Sequence, residues 1–291
     1  MRRSVHAVLV FVQASFAAFH VFGKHILHEV DPMVLAALRV SFAAPILFAA
    51  AWFVERHRPA WRDLLHLSYL GLFGVCLNQL LFIHGLERTT ATNAAILMPA
   101  IPAFSAALAI LFRVERLSWL RGLGIVSATL GAIVLVDPTQ FELDSDTAVG
   151  NLLVLLNCLS YALFVVLQRP VLERVPPLTL TAWAYVFGGL GVLVVAGPTL
   201  VATDLTSYAP LSYAGIAYIL IVPTTLNYAL VTWAIRRSSP TLVSTYITMQ
   251  PMFAATFARI FLGEALGLHQ LAGFVLIVVG LLLVVRSRQS S

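Results

Sequence analysis

Long apolar stretches separated by short polar clusters run through the whole 291-residue chain. The stretches are roughly 18–24 residues long, which is the length that an α-helix needs to cross a hydrocarbon core about 30 Å thick. The pattern therefore predicts an all-α membrane protein with ten transmembrane helices, which we number as spans 1–10. Their expected positions are about 5–23, 33–54, 65–86, 91–112, 119–136, 149–168, 178–197, 210–235, 240–262 and 269–285.

The composition agrees with a membrane chain. Sixty per cent of the residues are apolar and only 11% are charged, whereas about 25% are charged in a typical soluble domain. Arg2 and Arg3 precede the first apolar stretch, as in a signal peptide, but no clear small-residue cleavage site follows, so we expect span 1 to be retained. Cys76 and Cys158 both fall within spans and are expected to pack there rather than to form a disulfide.

The chain contains an internal repeat. Residues 78–136 align without a gap on residues 227–285, and fifteen of the 59 aligned pairs are identical. A chain of this composition should give roughly five or six identical pairs by chance. The identical pairs include Asn78 with Asn227, Pro102 with Pro251, and Glu115 with Glu264.

A second aligned block, at an offset of 145 positions, pairs Ser15 with Ser160. The two blocks predict a first half over residues 1–138 and a second half over residues 149–288, joined by an acidic loop at 139–148. Internal duplication in a membrane chain is typical of transporters.

The distribution of basic residues predicts the orientation. When successive loops are assigned to alternate sides, fourteen arginines fall on one side, whereas the other receives only Lys24, Arg88 and Arg259. The basic side should be cytoplasmic, which places both termini there. Because each half has five spans, the second half should cross the membrane inverted relative to the first. The expected location is the inner (plasma) membrane of a bacterium.

Several short motifs carry a family resemblance. The first copy has the turn GLERT, Pro102 in the next span, Glu115 after that span, and a final helix with spaced glycines. The second copy has RRSSP, Gln250-Pro251, the run LGEAL around Glu264, and the glycines Gly273 and Gly280. In these features each copy resembles the EamA repeat of the drug/metabolite transporter superfamily. The resemblance implies a ten-helix transporter of metabolites, often an exporter of amino acids or other small organic molecules, and it does not fix the substrate.

Amide side chains near the middle of spans are the first candidates for a binding site, because an unpaired polar group is costly in hydrocarbon. An amide can both donate and accept hydrogen bonds, which suits a neutral or zwitterionic solute. The alternative is ordinary hydrogen bonding between helices, worth about 0.6 kcal/mol per bond. The candidate amides are Gln13, Asn78, Gln79, Asn157, Asn227 and Gln250.

Two further features could contact an amphipathic or carboxylate-bearing solute. Tyr246, Met249, Gln250 and Phe253 share one face of span 9, where they could contact a ligand or simply pack against a neighbouring helix. Arg39 lies about two turns inside span 2 and could bind a carboxylate, or its side chain could extend to the membrane surface.

Prolines near mid-depth predict hinges, since each removes a backbone donor and frees a carbonyl. Spans 4 and 9 are expected to break at the equivalent Pro102 and Pro251, with simple curvature as the alternative. Glu115 and Glu264 end these two spans, where each could meet the positive N-terminus of the next helix or a nearby arginine. We therefore assign them to capping or to gate closure. The candidate hinge prolines are Pro99, Pro102, Pro223 and Pro251.

The leading hypothesis is a transporter that works by alternating access on a small-molecule substrate. No HExxH, GxSxG or aspartate-rich motif occurs, so we predict no catalytic residues, no metal site and no cofactor. A channel or a non-transporting membrane scaffold is the alternative class. A nucleotide-sugar carrier should need several basic groups in the cavity, and only Arg39 is deeply placed.

The expected partners are the substrate and the lipid bilayer. We expect no nucleic acid, because the net charge of +5 reflects arginines in loops. No span has a carboxylate near its centre, so facilitated diffusion or exchange is as plausible as proton antiport. The oligomeric state is left open.

Overall fold

The computed structural model describes residues 2–26, 29–89, 93–94, 97–116, 118–136, 145–206, 208–262 and 268–287. Within these ranges every regular element is helical and no strand occurs. The helices, numbered in chain order, are α1 (Arg2–Ile26), α2 (Pro32–Val54), α3 (Trp61–Arg88), α4 (Ala100–Leu111), α5 (Trp119–Val136), α6 (Ser145–Val171), α7 (Pro177–Ala202), α8 (Pro210–Arg237), α9 (Pro240–Thr245, Tyr246–Met249 and Gln250–Leu262) and α10 (Leu268–Ser287).

Each predicted span overlaps one of these helices. Five of them, α2, α3, α6, α7 and α8, are long and apolar enough to cross a membrane, and α1, α4, α5 and α10 contain shorter apolar segments. Helix α6 begins at Ser145, so the end of the predicted loop 139–148 is helical. The earlier part of that loop, residues 139–144, lies outside the described residues.

Large apolar side chains cover the outer surface. Phe53, Val194 and Val201 are 72%, 79% and 88% exposed. A water-soluble protein rarely exposes apolar surface on this scale, whereas a hydrocarbon environment accommodates it. The surface of the fold thus matches the membrane character that the composition predicts.

Small residues allow close contacts between pairs of helices. Helix α2 packs along α7, and α5 packs along α10. Where α5 meets α10, a Cβ added to Gly124 would lie 2.7 Å from the carbonyl oxygen of Gly280. Where α3 meets α7, a Cβ on Gly188 would lie 2.3 Å from the carbonyl oxygen of Gly71. Glycine is required at these positions because the two backbones are nearly in contact.

The first helix of each half packs among helices of the other half. Helix α1 contacts α8 and α9, and helix α6 contacts α3 and α4. The two halves therefore interlock, and side chains from α1 and α6 lie against the middle of helices on the opposite half.

Irregular turns interrupt α3 and α8 at repeat-equivalent positions. A π-helical turn occupies Leu72–Leu77 in α3 and Leu220–Leu226 in α8, and each ends immediately before a candidate amide, Asn78 or Asn227. Pro223 lies inside the second turn, as expected for a hinge proline. The α3 turn contains no proline, so the sequence did not indicate it.

The predicted breaks in spans 4 and 9 lie before the prolines rather than at them. In α9 a 3-10 turn, Tyr246–Met249, comes just before the α-helical segment whose second residue is Pro251. Pro99 is the cap residue of α4, and Pro102 is within the first turn of that helix. Proline is tolerated there because the first N–H groups of a helix have no partner within it. These prolines start a new helical segment after the irregular one.

The glycine contact between α5 and α10 gives a test of the packing. Gly124→Ala should lower the free energy of unfolding by about 1–2 kcal/mol, because its methyl group would overlap the α10 backbone. The measurement is equilibrium unfolding in mixed micelles, followed by tryptophan fluorescence.

Gly122→Ala, on the same helix, is the matched control. A Cβ at Gly122 meets nothing within 4 Å, so alanine should be neutral or stabilising by up to about 1 kcal/mol through its helix propensity. Equal effects of the two substitutions would contradict the close approach of α5 and α10.

Candidate functional site

Hydrogen bonds join the middle of α1 to α8 and α9. The Gln250 side-chain nitrogen, Nε2, donates to Gln13 Oε1 at 2.8 Å. Two residues further along α1, the Ser15 hydroxyl lies 2.8 Å from Asn227 Nδ2 and 3.1 Å from Asn227 Oδ1. Three of the candidate amides thus lie close together, and their bonds cross from one half of the chain to the other.

The predicted face of span 9 is turned partly towards α1. The Tyr246 hydroxyl lies 2.7 Å from His6 Nδ1, near the start of α1. Met249 packs against the main hydrophobic core, and the Phe253 ring stacks on Phe257 at 6.3 Å between ring centroids. In this conformation the aromatic and amide groups of α9 serve helix packing. Their contact with a solute remains a prediction.

Side chains of α6 satisfy the backbone around the π turn of α3. Asn157 Nδ2 donates to the carbonyl oxygen of Asn78 at 2.5 Å, and the Ser160 hydroxyl donates to that of Phe73 at 2.8 Å. A π turn disturbs the regular ladder of helical hydrogen bonds and leaves carbonyls available to other donors. Ser160 is the repeat equivalent of Ser15, so each half uses a serine of its first helix to contact the irregular region of the other half.

Arg39 points towards the middle of α8. Its Nε donates to Thr224 Oγ1 at 2.8 Å, within the π turn, and its guanidinium lies 5.9 Å from the centre of the Phe19 ring. Of the two alternatives for Arg39, this contact favours a side chain directed into the protein over one that extends to the membrane surface. None of the described residues forms an ion pair with Arg39.

Two tyrosines that the sequence analysis missed, Tyr185 and Tyr228, connect the Arg39 contact in α8 with Asn78 in α3. The Tyr185 hydroxyl donates to the carbonyl oxygen of Thr224 at 3.1 Å, and its ring meets that of Tyr228 edge to face at 5.2 Å. The Tyr228 hydroxyl in turn donates to Asn78 Oδ1 at 3.3 Å. Tyr228 directly follows the candidate Asn227, and that adjacency was the one available signal.

Gln79 differs from the other candidate amides, although Gln168, which is not a candidate, is also buried without a partner among the described residues. Gln79 is 3% exposed, and neither its nitrogen nor its oxygen has a hydrogen-bond partner among the described residues. Burying an unpaired amide costs roughly 1–3 kcal/mol. Its amide group is therefore available to a partner outside the described residues, such as water or a solute.

The predicted capping role of Glu115 takes a form that was not foreseen. Its Oε1 accepts a hydrogen bond from the Thr241 backbone N–H at 2.9 Å, in the first turn of α9, and Oε2 pairs with Arg121 Nη1 at 3.0 Å. The helix that it caps belongs to the other half and is not the next one along the chain. The side chains of the ion pair are only 8–9% exposed. Glu264, the equivalent of Glu115, lies outside the described residues.

Related contacts hold other loops against helix starts. Glu29 Oε2 accepts from the Ser212 hydroxyl at 2.7 Å, near the start of α8. At the repeat-equivalent positions Arg174 pairs with Asp63 at 3.1 Å, near the start of α3. The same connection is thus made twice with different chemistry.

No group of three His, Cys, Asp or Glu side chains that could bind a metal ion occurs in the described ranges.

Comparison with known proteins decides the family. The model of the EamA-like transporter family matches residues 4–137 and 148–286, which is nearly the whole chain. The chain belongs to the EamA-like transporter family. The resemblance inferred from the repeated motifs is therefore confirmed, and membrane transport is the activity after which the family is named.

Relatives of this EamA-like protein occur in plants and archaea. It is 28% identical to a WAT1-related protein of Arabidopsis thaliana over 99% of this chain and 86% of the relative. It is also 28% identical to an uncharacterized transporter of Archaeoglobus fulgidus over 97% of this chain and 98% of the relative. A solved crystal structure superposes with a TM-score of 0.81 over the full length of both chains at 16% identity, which shows a shared fold.

The capping carboxylate gives a second test. Glu115→Gln should lower the free energy of unfolding by about 3 kcal/mol, because it leaves the mostly buried Arg121 without its counter-charge. Thermal or denaturant unfolding of the purified protein measures the change.

Glu87→Gln provides the comparison for Glu115. Glu87 also lies near an arginine, Arg88, at 3.9 Å, but both side chains are about half exposed. An exposed ion pair contributes about 0–1 kcal/mol, so this variant should be nearly as stable as the original protein. If Glu115→Gln is equally harmless, Glu115 does not hold the two halves together.

Proposed function

We propose that this protein is a transporter of small organic solutes that carry a carboxylate, such as amino acids, and that it works by alternating access. The observation that carries the proposal is the position of Arg39. This cation lies in an apolar fold, and its Nε contacts the π turn of the opposite half. Charged groups inside the membrane are costly and typically line a substrate pathway. An arginine without a protein counter-ion is well suited to bind a carboxylate.

We infer that the ten helices cross the membrane as two inverted repeats of five. The sequence repeat, the odd number of spans in each half and the charge asymmetry of the loops support this arrangement. The interlocking of α1 and α6 with the opposite halves supports a site at their interface. We place both termini in the cytoplasm and the protein in the plasma membrane of a bacterium. We propose export as the direction, because transporters of the resembled family are often exporters.

The substrate site would combine charge, amides and aromatic surface. Arg39 would bind the carboxylate, and Gln79 would provide a hydrogen-bonding group that has no partner within the described protein. Tyr185 bonds to Thr224, the residue that Arg39 contacts, and Tyr228 bonds to Asn78, the neighbour of Gln79. The two rings would contact an apolar part of the solute. A single deep cation suits a monocarboxylate or a zwitterion better than a nucleotide sugar with two phosphates.

The hydrogen bonds between the halves would change during transport. The bonds Gln13–Gln250 and Ser15–Asn227 join α1 to the opposite half at mid-height. Such bonds in membranes are worth about 0.6 kcal/mol each, so a solute or a sliding helix can replace them at little cost. The π and 3-10 turns next to these amides would supply the bending points. The bond between Glu115, which Arg121 holds in place, and the Thr241 backbone N–H of the other half would close the cytoplasmic end.

The proposal is tested by ligand screening and flux with variants of Arg39. A thermal-shift screen should compare carboxylated metabolites, amino acids included, with their neutral amide analogues. We expect stabilisation by at least one carboxylated solute, saturable counterflow of that solute in liposomes, and a KM about 10–100-fold higher for Arg39→Gln, because a charge-assisted hydrogen bond contributes about 1.5–3 kcal/mol.

Two controls accompany the flux measurement. Arg286→Gln removes an exposed arginine at the end of α10 and should leave KM unchanged. Arg39→Lys keeps the charge and should fall between the original protein and Arg39→Gln. Equal flux of the carboxylate and its amide, or an unchanged KM for Arg39→Gln, would overturn the assignment of Arg39. Non-saturable flux would favour a channel instead.

A further inference from the structure

An open cleft lies at the C-terminal end of α2, away from the proposed transport site. It has a volume of about 310 Å³ and is lined by Trp52, Phe53, Arg56 and Arg58. The Arg58 guanidinium carbon lies 5.2 Å from the centre of the Trp52 ring. A guanidinium stacked on an aromatic face keeps its N–H edge free to bind an anion. The cleft therefore presents guanidinium N–H donors next to the Trp52 ring.

The arginines around this cleft lack counter-charges. Arg56, Arg58 and Arg62 are exposed, and none of them forms an ion pair in the described part of the chain. The two neighbouring carboxylates are engaged elsewhere. Glu55 accepts the backbone N–H groups of Leu178 and Thr179 at the start of α7, and Asp63 pairs with Arg174. The positive charge of the cleft is thus left for an external anion.

Apolar side chains lie directly beside these cations. Trp52, Phe53 and Val54 are 51%, 72% and 75% exposed, which places them against acyl chains in a bilayer. Trp61, at the start of α3 and directly before Arg62, is 86% exposed. Tryptophan prefers the boundary between hydrocarbon and water, so the cleft is positioned at the depth of lipid headgroups. The expected orientation also puts it on the cytoplasmic face, where anionic lipids occur.

We propose that this cleft binds the phosphodiester headgroup of an anionic phospholipid, with Arg56 and Arg58 contacting the phosphate and Trp52 and Phe53 contacting the upper acyl chain. A water-soluble phosphate would gain the contacts with the arginines but not those with the apolar side chains. The proposal is independent of the transport mechanism, because it requires only that α2 lies in a bilayer.

Native mass spectrometry of the purified protein with equal amounts of phosphatidylglycerol and phosphatidylcholine tests the proposal. We expect the original protein to retain phosphatidylglycerol selectively. The double variant Arg56→Gln/Arg58→Gln should bind it about 30-fold more weakly, since each basic group near a membrane surface contributes about 1 kcal/mol to the binding of anionic lipid. Soluble glycerol phosphate at millimolar concentration should not displace the lipid.

The matched control is Arg113→Gln/Arg286→Gln. Arg113, like Arg56, follows the end of a helix and has a positive φ, 56° compared with 50°. Each double variant therefore removes two positive charges and replaces one arginine whose backbone is in the left-handed region. The control should keep its lipid preference. If it loses selectivity to the same extent, or if glycerol phosphate displaces the lipid, the headgroup site is refuted.

Should the cleft double variant not fold, Arg58→Gln alone is expected to lower the affinity for phosphatidylglycerol about fivefold, and an unchanged affinity would refute the site equally.

Discussion

Polar groups in hydrocarbon must find partners within the protein, and in this fold many of those partners come from the opposite half of the chain. The amides and serines of α1 and α6 are bonded to residues within or directly after the irregular turns of α3, α8 and α9. Without these donors, the carbonyls freed at the turns would face lipid or an apolar core. The interlocked helices therefore provide hydrogen-bond donors for backbone groups that the irregular turns leave free.

The same arrangement explains why structural and functional roles are hard to separate at the centre. Gln13 and Gln250 bond to each other, and Asn227 bonds to Ser15, in the described conformation. Arg39 and Gln79 are different, because Arg39 has no described counter-ion and Gln79 has no hydrogen-bond partner among the described residues. We therefore expect substrate recognition to depend mainly on these two groups, and the paired amides to act when the halves move.

The helices could be predicted from the sequence because membrane thickness imposes one length on every apolar run. The repeat paired Ser15 with Ser160 and Asn78 with Asn227, but it did not predict which residues of the opposite half they contact. The local pattern could not reveal that Glu115 caps a helix of the other half, since that contact depends on tertiary packing. Nor could it reveal the π turn in α3, which contains no proline and whose Gly74 alone does not distinguish it from a regular helix. The tyrosines Tyr185 and Tyr228 were overlooked because aromatic residues in apolar spans usually signal only packing.

The central claim is that the two halves are inverted, and cysteine labelling at repeat-equivalent positions tests it most directly. Arg88 and Arg237 occupy equivalent positions at the ends of α3 and α8, and both are exposed. In a background with Cys76→Ala and Cys158→Ala, a membrane-impermeant maleimide applied to intact cells should label Arg88→Cys. It should label Arg237→Cys only after the membrane is opened. Labelling of both positions from the same side would contradict the inverted arrangement and the alternating-access mechanism built on it.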